Sequence, residues 1–200
     1  MSATTANAAV GGTIGARAAA GTAGTGMAAF AAFKFPEHKF GFVLRNLFTA
    51  PWAGWVALRD SRAAIAQTAK LFGGDGRAAD NLGRDAFRHA YWSAMMVRNM
   101  QRDHGVTATR ADDLARQVGI AQENDASLNL NSLSRQMDVH NNGTGRQLAG
   151  SGRDADGTWL TDEQLRDRVL TAMQGGKLKV FDGPGKLRAT SMLDLPTPPA

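Results

Sequence analysis

The sequence predicts a mainly α protein: an N-terminal Ala/Gly-rich helical hairpin, a compact helical core, and a short β-like C-terminal tail. Three observations carry that reading. From Asp80 onward Leu82, Ala86, Phe87, Ala90, Tyr91, Ala94 and Met95 recur at spacings of three and four, a wide apolar stripe on a helix. Residues 11–26, GGTIGARAAAGTAGTG, place small side chains at every fourth position. Strand character is confined to KLKVF beside a Gly-Pro turn near the C-terminus. The chain accordingly divides into an N-terminal region, 1–74, and a helical core with an extended tail, 75–200.

In chain order, the first zone is Ala-, Gly- and Thr-rich and closes in the more apolar MAAFAAFKF. On a helix, Gly11, Gly15 and Ala19 form one ridge, and Gly12, Ala16, Ala20, Gly24 and Ala28 form another beside it. Such ridges let backbones approach closely, which is how helices associate in lipid, where hydrophobic drive between them is absent. In water each glycine would cost a helix roughly 0.8 to 1 kcal/mol relative to alanine. As one helix, residues 8–33 would span about 39 Å, enough for a hydrocarbon core of about 30 Å. Arg17 would cost roughly 2.5 to 3.5 kcal/mol near mid-membrane, so such a helix inserts in company, with Arg17 facing water.

The second zone, FGFVLRNLFTAPWAGWVAL from Phe40 to Leu58, has the length of a span. Trp52 and Trp55 are its candidate interfacial anchors, and Pro51 a kink or break. A buried amphipathic helix is the other reading. A helix-favouring tail, RDSRAAIAQTAKLF, runs on to the stop signal Gly73-Gly74. After the helix that begins near Asp80, another begins around Thr109 as N-cap, with Ala111, Leu114, Ala115, Val118 and Ala121 on one face. Glycines and polar residues between Gly143 and Gly157 read as loop. Thr161-Asp162-Glu163-Gln164 opens a third, short helix.

Composition narrows the chemistry. The formal charge of +5 comes from scattered basic residues, not a block, and does not distinguish anionic lipid from nucleic acid. With no cysteine, disulfides and thiolate zinc sites are excluded. The N-terminus lacks the basic n-region and compact apolar h-region of a Sec signal, so export would need another route.

Polar residues gather in three places. DAFRHAYW supplies Asp85, Arg88, His89 and Trp92, with Asp85 and His89 one helical turn apart, so that the carboxylate can orient the imidazole. QENDAS supplies Glu123, and MDVHNNGTGR supplies Asp138, His140, Asn141, Asn142 and Arg146. Brought together, His89, Glu123, Asp138 and His140 could form an acid/base site or an oxygen-and-nitrogen metal site. Their spacing matches neither HExxH nor an EF-hand loop, and no metal or cofactor is called for. The same side chains could instead lock helix ends, with Asp138 and Asn141 bonded to backbone in a turn. No GxSxG, Walker or dinucleotide-binding pattern occurs.

DAFRHAYWSA, QEND and MDVHNNGTGRQLA together resemble an uncharacterised domain of bacterial polymorphic and secreted toxins, over about residues 80–149. Gln122-Glu123 stands where that pattern has His-Glu. A small-residue zipper ahead of such a core is similar to the small pore-forming effectors of bacterial type VI secretion. That resemblance implies an antibacterial toxin injected by contact, acting at the recipient inner membrane, where it self-associates into ion-conducting pores and dissipates the membrane potential. It implies as partners a cognate immunity protein and a secretion-tube or chaperone component, and no nucleic acid. The alternatives are a hydrolase of lipid or cell-wall bonds working through the His/Glu/Asp residues, and a non-toxic structural or phage-related protein.

Overall fold

The computed structural model describes residues 50–77, 82–123, 132–183 and 185–196, and the small-residue ridges of 11–28 lie outside them. The described fold is mainly helical. Its elements are α1 (Ala53–Phe72), α2 (Gly83–His104), α3 (Ala108–Glu123), α4 (Leu133–Ala149), α5 (Asp162–Gln174), the antiparallel pair β1 (Lys179–Phe181) and β2 (Leu187–Ala189), and a 3-10 turn at Met192–Asp194.

Helix α2 is the axis of the core. Its apolar stripe is so wide that Phe87, Ala90, Tyr91, Ala94, Met96 and Met100 are all buried, together with Asp85, His89, Ser93, Arg98 and Asn99. Every other described helix packs against it, α4 most extensively. The pairings His89 to Asp138, Ser93 to Asn142 and Gln101 to Gly150 advance together along both chains, so α2 and α4 run in the same direction. Helix α3 packs on both and carries the chain back between them. Its buried face is Ala111, Leu114, Ala115 and Val118.

Residues 143–149, expected as loop, are the last turns of α4. Gly145 is there for contact: a Cβ on it would stand 2.0 Å from the Ala90 carbonyl oxygen. Only glycine lets the two helices cross at that distance. The turn begins at Gly150, and Asp138 and Asn141 are helical residues instead of turn residues. The cap of α3 also differs: the Arg110 amide donates to Thr107 Oγ1 at 3.2 Å, so Thr107 caps the helix and Thr109 lies inside it. Helix α5 opens on the expected Thr161, in a reciprocal capping box with Gln164.

Helix α1 joins what the sequence separates. Residues 53–58 and the segment 59–72 form one helix, which ends at Gly73 with φ 73°. Ala53, Val56, Ala57, Asp60, Ala64 and Thr68 are buried, and the helix packs on α2. Trp92 Nε1 donates to the Ala57 carbonyl at 2.9 Å, and Asn99 Nδ2 to Asp60 Oδ2 at 2.9 Å. Burial is the main cause that raises the Asp60 carboxyl above its ordinary value, against the lowering pull of Arg59 and Asn99. Residues 40–49 of the expected span lie outside the described residues. Among the described residues no helix is long and apolar enough to cross a membrane. Trp52 stacks on His104 with ring centroids 3.8 Å apart, whereas Trp55 is 55% exposed.

Candidate functional site

The α2–α4 crossing brings Asp85, His89 and Asp138 together. All three are buried, at 2%, 9% and 6% exposure. His89 Nε2 lies 3.5 Å from Asp85 Oδ1, the expected one-turn pair, and 3.4 Å from Asp138 Oδ1 on the neighbouring helix. Arg88 donates through Nη2 to Asp85 Oδ1, and the same nitrogen stands 3.4 Å from His89 Nε2. Its other nitrogen, Nη1, reaches the Gly76 carbonyl at 3.2 Å. Behind the imidazole, Ser93 Oγ donates to Asn142 Oδ1 at 3.0 Å, which fixes the Asn142 amide.

Burial, and after it the Arg88 guanidinium, push the His89 imidazole down to about 3, while Asn142 pulls the other way. At neutral pH the ring is therefore uncharged. A neutral imidazole flanked by two carboxylates keeps one N–H and one nitrogen lone pair; the lone pair can ligate a cation, while the low value makes the ring a weak proton acceptor at neutral pH. Asp138 Oδ1 faces the ring nitrogen from the neighbouring helix.

The other expected site residues go elsewhere. His140 is exposed, and its Nε2 meets the Lys177 carbonyl at 2.9 Å, away from His89. Two residues apart on a helix are about 200° apart around its axis, so Asp138 and His140 cannot share a face. Asn141 grips β1 by both backbone groups: Nδ2 donates to the Lys179 carbonyl at 2.9 Å, and the Lys179 amide donates to Oδ1 at 2.8 Å. Arg146 pairs with Asp112 at 3.0 Å. The side chain of Glu123 lies outside the described residues.

Two polar features were not anticipated. Arg98 is 2% exposed and donates to the Leu160 carbonyl and to Asp162, which ties the loop before α5 to the core. The signal for it was weak, because a single arginine on a helix normally snorkels to solvent. The same loop carries Asp154, Asp156 and Gly157, and six residues after that glycine Glu163 stands in the first turn of α5, the later part of a calcium-loop spacing. Gly152 stands where the first carboxylate would belong. Asp154 and Asp156 instead close a turn by accepting the Thr158 amide at 3.1 and 2.9 Å.

These observations define a class: a small helical domain whose central helix carries Asp-x-x-Arg-His and whose parallel neighbour returns an aspartate and an asparagine to it. The chain belongs to the family described as a domain of unknown function, DUF6973, which matches residues 44–177. The match takes in α1 together with the site. No curated protein and no solved structure matches the chain.

Proposed function

We propose that the protein is a secreted antibacterial toxin of the type VI secretion kind, whose N-terminal region inserts into the recipient inner membrane and assembles ion-conducting pores. The observation that carries this reading is the pair of small-residue ridges, Gly11-Gly15-Ala19 and Gly12 through Ala28. The helical core supports it as the soluble carrier, since it buries its apolar faces in itself and offers no membrane-length helix among its described residues. Its partners in this reading are the recipient inner membrane, further copies of itself there, a cognate immunity protein, and a tube or chaperone component of the secretion machinery.

A hydrolase acting on lipid or cell wall is the second reading, favoured by the convergence of His89, Asp138 and Asp85. His89 and the two carboxylates would serve there as base, acid or ligands.

One experiment separates the two. A membrane-potential dye is followed in cells that export the wild type, Gly15→Leu or His89→Gln to the periplasm. Pore formation predicts depolarisation by the wild type and by His89→Gln, with loss in Gly15→Leu. The hydrolase reading predicts the reverse dependence, with lipid or wall fragments released. Absence of any effect from the wild type would favour a non-toxic protein and sink both.

A further inference from the structure

We propose that Asp85, His89 and Asp138 form a three-ligand site for a divalent first-row metal ion, for which Arg88 is the built-in competitor. The proposal concerns the core alone and stands whether the protein acts as a pore or as a hydrolase.

Geometry is the first support. One donor atom from each residue lies within 4.8 Å of the other two. Ligands held about 2.0 to 2.1 Å from a tetrahedral centre are separated from each other by roughly 3.4 Å. The two edges that meet at His89 Nε2, 3.5 and 3.4 Å, already have that length. The third edge, between the carboxylates, is no longer than 4.8 Å.

Donor chemistry is the second. One imidazole nitrogen and two carboxylate oxygens suit zinc and its first-row neighbours, whereas calcium and magnesium sites are built from oxygens alone. Three protein ligands leave a fourth position for water or another group, the pattern of sites that do chemistry.

The surroundings are the third. Asn142, fixed by Ser93, stands beside the ring and acts on it from outside the ligand set. The ligands stand on two helices whose separation is locked by the Gly145–Ala90 contact, so the spacing is a property of the fold and not of a loop.

Arg88 gives the site its particular character. Its Nη2 touches Asp85 Oδ1 and lies 3.4 Å from His89 Nε2, so a positive charge already sits between two of the three donors. Its side chain reaches the rim, at 15% exposure, and has a second anchor in the Gly76 carbonyl. Metal entry is therefore an exchange of cations: the guanidinium leaves Asp85 Oδ1 and the ion takes its place.

The test uses the full chain, stripped with a chelator and titrated with zinc in equilibrium dialysis against a competing chelator, with cobalt absorption as the report on coordination. We expect one zinc per wild-type chain, at least about tenfold weaker binding in His89→Gln and Asp138→Asn, and no change in His140→Ala. Arg88→Gln should bind about tenfold more tightly, a gain that misfolding cannot produce. Circular dichroism checks that each variant is folded. A wild type that binds no zinc, zinc retained undiminished in both ligand variants, or an Arg88→Gln protein with no gain would each overturn the proposal.

Discussion

The Gly145 backbone lies directly against the Ala90 carbonyl, where a single added methyl group would stand 2.0 Å from the oxygen. That contact sets how closely α4 approaches α2, and so whether Asp138 can reach His89. Because the obstacle is backbone, no side-chain rotation relieves it. Gly145→Ala should cost about 1 to 3 kcal/mol, the usual range for overpacking. Gly143, on the same helix, faces only the end of Arg146 at 3.8 Å. Gly143→Ala should be neutral or stabilise by up to about 1 kcal/mol through helix propensity. Urea denaturation of both variants checks the pair, and equal effects would show that the crossing does not depend on Gly145.

Asn141 takes the role of a neighbouring strand by satisfying both backbone groups of Lys179. Asn141→Ala strands those groups at a partly buried position, at a cost of about 1 to 3 kcal/mol. Hydrogen exchange should then quicken first in β1 and β2, ahead of α2. Uniform quickening across the core would count against this local role.

The two tryptophans before and within α1 are separable. Trp52 stacks on His104, so Trp52→Ala should lower the stability of the folded core by about 1 kcal/mol. Trp55 is largely exposed, and its replacement by alanine should change stability by less than about 0.5 kcal/mol. If Trp55 anchors the inserted state at the membrane interface, Trp55→Ala will nevertheless weaken depolarisation. Full depolarising activity in that variant would remove Trp55 from the anchor role.

Acid stability should depend on Asp194. Arg188 grips both its carboxylate oxygens, at 2.6 and 2.8 Å, and is the main cause holding it below the ordinary value of 3.8. The folded chain thus takes up this proton less readily than the unfolded chain. Its stabilising contribution is complete above about pH 4 and is lost as pH falls through the depressed folded value. Melting temperatures measured from pH 5 to pH 2 should fall less steeply for Asp194→Asn than for the wild type. Parallel curves would exclude Asp194 as a source of the acid limb.

Much of the fold is written in periodicity. The α2 stripe, the Gly73 stop and the Thr161 cap are local signals, and each appears where the sequence places it. Helix α4 was hidden by its own chemistry. Its buried face is Met137, Asp138, Asn141, Asn142, Gly145 and Ala149, a helical spacing filled largely by polar residues and glycine, types that usually mark turns. The Asp85–His89 pair is legible because it lies on one helix. Asp138 is legible as a candidate by residue type, but its approach to His89 is not, because it depends on α2 and α4 running parallel, which no spacing along the chain encodes. With α4 taken as helix, its 100° step per residue would have separated Asp138 from His140 at once.

The Asn141 grip has a mechanical consequence. A helix can slip about its own axis at little cost when its contacts are all greasy, but two opposed hydrogen bonds to one strand residue fix the angular setting of α4 like a key in a shaft. Asp138 sits three residues earlier on that shaft. The C-terminal hairpin thus helps hold the angle at which that carboxylate faces His89.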